Sequence, residues 1–211
     1  IDPQHYPDVL KERSTIVQMI GPLLESFTGE HVGEPRLLIC LFGPPLLHVD
    51  FKFVSIDDIE DKVENPAILW ERENVIGSQL ALTPAEFPRP DSDWSEKRFW
   101  IWVHYTATKI GRGELFEAID SIGVIRGSIL GPMILEKKGA RPQGLRKVEF
   151  NASQEVFNKL KTTLAIHDAR DCFRALRETI KLYPSLRDSP GKQELEDLVK
   201  DCLDQIETHQ D

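Results

Sequence analysis

Apolar positions Val9, Leu10, Ile16, Met19, Ile20, Leu23 and Leu24 recur at helical spacing and predict an amphipathic helix over 6–27, entered from Asp2-Pro3. A loop is expected over 28–35. The period then changes. Segment 37–54, LLICLFGPPLLHVDFKFV, reads as two apolar strands joined by a Gly-Pro-Pro turn. Alternate side chains of a strand share a face, so His48, Asp50 and Lys52 point one way while Val49, Phe51 and Phe53 point the other. Ser55 to Ile59 resembles a helix start, with Ser55 as cap and Asp58 three residues on. That short helix is expected to end near Asn65-Pro66, followed by a short strand over 67–70 and a charged turn over 71–77.

Pro84, Pro88 and Pro90 exclude regular structure and predict a linker over 84–93. From Trp94 onward the periodicity is helical: 98–110, 114–131, a Gly/Arg/Pro-rich loop at 137–144, one long helix over 153–183, and a final helix over 192–209. In the long helix Ala169, Cys172, Phe173, Leu176 and Ile180 form an apolar stripe. The expected organisation is α+β: a mixed sheet with helices over 1–83, the linker, and an all-helical domain over 94–211.

With 211 residues, 40% hydrophobic and 29% charged, the chain can bury a substantial core. No stretch approaches the roughly 18–20 unbroken apolar residues of a membrane span, and no basic-then-apolar signal pattern opens the chain, so a cytoplasmic protein is expected. The opening Ile1-Asp2-Pro3 has no methionine and resembles the exit from a strand into a helix, so further sequence upstream is expected. Cys40, Cys172 and Cys202 are odd in number, widely spaced and set in apolar patterns, which predicts buried thiols, not a disulfide framework or a zinc site. A formal net charge of −9 disfavours nonspecific contact with nucleic acid or an anionic membrane and suits a cationic small molecule.

Asp50 is the first candidate for chemistry. A carboxylate in an apolar strand costs several kcal/mol to bury unless a metal ion or an adjacent lysine meets it. The alternative is an exposed strand face carrying an Asp/Lys pair. Tyr105, Lys109 and Arg112, spaced four and three apart, share one helix face. Glu114 can face the same way only if Gly111 and Gly113 break the helix; it then either takes a proton from an acceptor hydroxyl or orients a cationic substrate, or else it is a solvated residue capping a helix N-terminus. Glu71-Arg72-Glu73 reads as a charged turn, Arg141, Arg146 and Lys147 as a solvated loop, and His167 as a structural residue of the long helix. There is no zinc spacing, P-loop, nucleophile elbow or dinucleotide fingerprint.

The strand LLHVDFKFVS with its single aspartate, the acidic segment after it and the charged end of ILWERENVI resemble the nucleotidyltransferase superfamily, specifically its aminoglycoside (streptomycin) adenylyltransferase-like branch. The run FWIWVHYTATKIGRGELFEAID resembles that branch's helical domain through Phe99-Trp100, Tyr105 with Ala107, Arg112 with Glu114, and Ala118. One departure is that the family's lysine lies one position before Lys109. The resemblance covers about 7–131. It implies transfer of a nucleoside monophosphate, AMP by default, from a magnesium-bound NTP to a hydroxyl of a small acceptor, in a site between the two halves. Asp50 would then be the third metal carboxylate and catalytic together with Glu114, while Lys52, Tyr105, Lys109 and Arg112 would hold the nucleotide. The family's Gly-Ser signature and Asp-x-Asp pair have no match here, which favours a nucleotide- or partner-binding relative without turnover as the alternative; a member acting on a protein hydroxyl is another. Gly77-Ser78 before Asp91-Ser92-Asp93 imitates the signature, but the pair follows three prolines and precedes a helix, so Ser92 or Asp93 reads as a helix cap.

Overall fold

The computed structural model describes residues 1–89, 91–188 and 190–209, so Pro90 of the expected linker lies outside the described residues. The chain divides into two compact units, Ile1–Glu86 and Phe87–Asp211.

The first unit is built on helix α1 (Tyr6–Gln18) and a three-stranded antiparallel sheet in the order β1 (Leu23–Gly29), β2 (Glu34–Phe42), β3 (Leu47–Lys52). The helix expected over 6–27 therefore stops nine residues early, since its last residue is Gln18. Gly21-Pro22 interrupts it, because proline has no N–H to donate, and Leu23 to Gly29 bonds to β2 instead. The β2–β3 hairpin forms as the alternation predicts, with Cys40 opposite Val49 and Leu38 opposite Phe51 on one face. That face is the core: Val17 of α1 meets Leu38, Cys40 and Phe42, flanked by Leu23, Val49, Phe51 and Phe53. Each fully buried side chain of this size contributes about 1.5–3 kcal/mol. After β3 a 3-10 turn covers Ile56–Ile59, where the Ser55 side chain makes no capping bond and Asp58 pairs with Arg36 at 3.4 Å instead. The strand expected over 67–70 does not form. Leu69 is 97% exposed, and a four-residue run after Pro66 finds no neighbouring strand to complete a ladder among the described residues. The charged turn before α2 (Val75–Leu80) is tied by Glu71, which accepts from the Gly77 N–H at 2.8 Å.

Glu34, at the start of β2, takes Arg36 at 2.7 Å and Lys52 at 2.7 Å. Arg36, then Lys52, holds its carboxyl down to about 2, against the burial that would raise it. A depressed carboxyl stabilises the fold above its unfolded-state value and loses that contribution as pH falls toward its folded value. Urea midpoints of the wild-type protein are expected to fall between about pH 5 and pH 2, and Glu34→Gln to flatten that slope. Identical slopes in the two proteins would remove Glu34 as its source.

In the second unit α3 (Ser92–Gly111) is capped by Asp91, whose side chain accepts from the Asp93 N–H. The cap is thus Asp91, one residue before the expected Ser92 and two before Asp93, and Gly77-Ser78 lies inside α2; neither half of the imitation signature sits on a strand. Next come α4 (Leu115–Ile125), a π-helical turn (Arg126–Leu130) and α5 (Gly131–Glu136). This run of 22 residues is long and apolar enough to cross a bilayer. Its Ala118, Ile122, Ile125, Ile129, Leu130, Ile134 and Leu135 are buried in the unit's core.

The rest of the unit is α6 (Val148–Asn151), α7 (Gln154–Thr162), α8 (Ala169–Leu186) and α9 (Gln193–Thr208). The single helix expected over 153–183 is broken between α7 and α8. Asp168 caps α8 by accepting from the Asp171 N–H at 2.9 Å, while Arg174 donates to the Thr162 and Leu164 carbonyls at 2.7 and 2.8 Å. The break costs little because its backbone groups have new partners. His167 consequently lies exposed in the break, its ring 4.4 Å from Phe116, and is not in a helix. Of the thiols, Cys40 and Cys172 are buried as expected, whereas Cys202 is partly exposed.

The core of this unit is aromatic, with Phe99 stacked on Tyr183 at 3.8 Å and Trp100 edge-on to Phe99 at 5.0 Å. A polar network is buried beside it. Glu96 accepts from the Tyr183 hydroxyl at 2.6 Å and from the Trp100 indole at 3.1 Å, and Arg187 pairs with Glu96 at 3.5 Å and with Glu196. Burial alone would raise the Glu96 carboxyl, but bonds from Tyr183, the Lys192 N–H and Trp100 outweigh it and bring it below the ordinary range. Burial, then the Glu96 carboxylate, pushes the Tyr183 hydroxyl up.

Candidate functional site

Two groups of side chains hold the candidate residues, one in each unit. In the first, the strand register puts Asp50 opposite Ile39, Lys52 opposite Leu37 and His48 opposite Leu41, on the sheet face away from Val17. The expected grouping of His48, Asp50 and Lys52 is therefore present, but the carboxylate is not buried: the Asp50 side chain is 53% exposed. Its partner is the imidazole of His48, with Nε2 at 2.9 Å from Oδ1. Lys52 turns to Glu34, so the expected Asp/Lys pair is not made. Glu34 escapes a reading by alternation because it lies at the far end of β2. Only the hairpin register, with Leu37 opposite Lys52, brings it near.

A carboxylate hydrogen-bonded to one imidazole nitrogen fixes the ring and leaves the other nitrogen to accept a proton. The pair can thus orient and deprotonate a hydroxyl. It does not make a metal centre. Magnesium takes oxygen ligands in near-octahedral geometry, and paired sites need several carboxylates. Asp50 offers one, beside a nitrogen donor, and no group of three or more His, Cys, Asp or Glu side chains converges among the described residues. Those residues do not fit a two-magnesium site.

The second group sits where α3 turns into α4. Gly113 adopts φ +76°, a conformation open to glycine at no steric cost, and the helix ends at Gly111. The turn brings Glu114 back to Lys109 at 2.6 Å and Arg112 at 2.6 Å. Tyr105, Lys109, Arg112 and Glu114 thereby come together as the glycine break predicts. A fifth member, Glu117, joins them by accepting from the Tyr105 hydroxyl and pairing with Lys109 at 3.0 Å. Its signal in the sequence is the three-residue step from Glu114, which puts both carboxylates on one face of α4. Lys109 also lies 5.1 Å from the Tyr105 ring centroid and is only 12% exposed.

The electrostatics follow from these contacts. Lys109, then Arg112, holds the Glu114 carboxyl below its ordinary value, and Tyr105, then Lys109, does the same for Glu117. Glu114 and Glu117 in turn push the Lys109 ammonium up. Glu114 occupies the N-cap position of α4, yet its side chain makes no capping bond. It is thus a half-exposed residue at a helix N-terminus, one of the alternatives read from the sequence, held by Lys109 and Arg112 and not by the helix's own N–H groups. Such a group is suited to holding a cation. Lys109 is bracketed by two carboxylates, so it must exchange partners before it can meet a phosphate.

No protein-family model matches the chain, and no curated protein matches it in sequence. A solved structure to which the chain is similar is the crystal structure of an aminoglycoside 6-adenyltransferase from Bacillus subtilis, at 15% identity over 94% of this chain and 84% of that one, with a TM-score of 0.47. Residues shared at that level are too few to transfer a site from one chain to the other.

Proposed function

We propose that the chain serves nucleotidyl transfer, moving a nucleoside monophosphate, AMP by default, from an NTP to a hydroxyl of a small, amino-sugar-like acceptor. The observation that carries this reading is the Asp50–His48 pair on a regular strand, half exposed and within hydrogen-bonding distance, on the segment that resembles adenylyltransferases. Asp50 holds the imidazole; His48 takes the proton of the attacking hydroxyl, whose oxygen bonds to the α-phosphorus as the bond to the β-phosphate breaks and pyrophosphate leaves. Positioning and charge neutralisation provide most of the catalysis of such a transfer. Within the helical unit, Arg112 is half exposed and suited to an anion, and Glu114 with Glu117 presents two ionised carboxylates suited to an ammonium group. An acidic protein with net charge −9 suits that acceptor.

A second reading, binding of a nucleotide or partner without turnover, is favoured by one observation: magnesium arriving with a nucleotide finds a single carboxylate in Asp50 and no convergent set among the described residues. The two readings separate in one experiment. The protein is incubated with ATP, magnesium and a panel of amino sugars, and the acceptors and the protein itself are weighed by mass spectrometry. An adenylyl adduct on a small molecule supports transfer. ATP retained by the protein with no adduct anywhere supports binding alone, and an adduct on protein moves the acceptor class.

Glu114→Gln is expected to raise the acceptor KM roughly tenfold, the worth of one hydrogen bond to a charged group, with little change in NTP affinity. An unchanged KM would return Glu114 to pinning the turn.

A further inference from the structure

Arg126 opens the π-helical turn between α4 and α5 and is half-buried. One terminal nitrogen of its guanidinium, Nη1, donates to the Thr163 carbonyl at 3.0 Å and to the Thr163 hydroxyl at 3.2 Å, at the C-terminal end of α7. The guanidinium has five N–H donors in a planar fork, so the edge formed by Nε and Nη2 is left over. That edge has no hydrogen-bond or ion-pair partner among the described residues. The negative end of the α7 dipole offsets part of the charge. Burial lowers the Arg126 pKa.

The same side chain lines a cavity of about 250 Å³. Its walls are apolar, formed by Leu145, Val148, Phe157, Leu160 and Leu164. Lys161 stands at the rim, its ammonium 4.9 Å from the Phe157 ring centroid, and Glu149 contributes the one carboxylate. Two cations against one anion leave the rim positive. The volume lies just under the roughly 300–1,000 Å³ of drug-sized ligand pockets, so the occupant is small. π-helical turns occur often at functional sites, which is consistent with the position of Arg126.

We propose that this cavity binds a small organic carboxylate, its carboxyl group paired with the free edge of Arg126 and its apolar body packed between Phe157, Leu160 and Leu145. A guanidinium edge presents two parallel N–H groups that match the two oxygens of a carboxylate. The apolar walls demand a hydrocarbon body, which inorganic anions lack. This site is independent of the transfer chemistry.

The test is calorimetric titration of the full chain with benzoate, with benzamide as the neutral isostere and with inorganic phosphate. Benzoate is expected to bind at least tenfold more tightly than either. Arg126→Gln should reduce benzoate affinity tenfold or more. Because Arg126 also holds the end of α7, two further variants keep the outcome decisive if Arg126→Gln does not fold: Lys161→Gln, at an exposed position, should weaken benzoate several-fold, and Leu164→Trp, at the half-exposed mouth, should block it. Equal affinities for benzoate and benzamide, phosphate bound as tightly as benzoate, or undiminished binding in the folded variants would overturn the proposal.

Discussion

Asp50→Asn is expected to reduce nucleotidyl transfer by about 10²–10⁴-fold while leaving the fold intact. The size follows from what the carboxylate does. Replacing an aspartate that orients a histidine by asparagine keeps the geometry but favours the wrong imidazole tautomer, and the ring then presents a proton where it must accept one. Stability should move by no more than about 0.5 kcal/mol, because the side chain is half exposed on the outer sheet face and its one hydrogen-bond partner among the described residues is His48. The measurement is product formation per unit time, with circular dichroism and a thermal melt as controls. A transfer rate within a few-fold of wild type would remove Asp50 from the site. Absence of any transfer in the wild-type protein would instead defeat the enzymatic reading, and nucleotide affinity then becomes the quantity to compare.

Arg187→Met should be the most damaging single change in the helical unit, destabilising it by about 3–5 kcal/mol. Arg187 bridges Glu96 from α3 and Glu196 from α9, and the Glu196 side chain is 4% exposed. Removing the guanidinium leaves two carboxylates buried with less than their full complement of donors. Lys200 reaches Glu196 only at 3.4 Å, and Glu96 keeps the Tyr183 and Trp100 bonds. A double variant, Arg187→Met with Glu196→Met, should recover much of the loss, since replacing a whole buried ion pair by apolar residues is often neutral. Chemical denaturation of the three proteins checks both statements. If the double variant is as unstable as the single one, the damage comes from lost packing and not from an unpaired charge. A loss under about 1 kcal/mol in Arg187→Met would place the network in water.

How much was legible before the structure depends on the range of the interaction involved. The hairpin over 37–54 and the common face of His48, Asp50 and Lys52 follow from two-residue periodicity, which is fixed by local sterics. The gathering of Tyr105, Lys109, Arg112 and Glu114 follows from helical spacing plus the freedom of Gly113. The errors lie where a segment's state is chosen by a distant partner. Residues 23–27 fit a helical stripe as well as a strand, and β2 decided between them. Residues 67–70 have strand composition and no strand beside them. The 163–168 break is secured by Arg126 and Arg174, 37 and at most 12 residues away from the groups they meet.

The sequence by itself determined the α+β class, the hairpin over 37–54 and the common face of His48, Asp50 and Lys52, because each follows from the spacing of residues a few positions apart along the chain. Only the tertiary structure decided what those side chains are bonded to: that Asp50 holds a histidine and not Lys52, that Glu114 is clamped by Lys109 and Arg112, and that Arg126 bonds to Thr163 and lines an apolar cavity. The reason is physical. A charge takes whichever opposite charge or dipole the packed backbone brings within about 3 Å, and that choice is made by register and helix crossing over tens of residues, where periodicity carries no information.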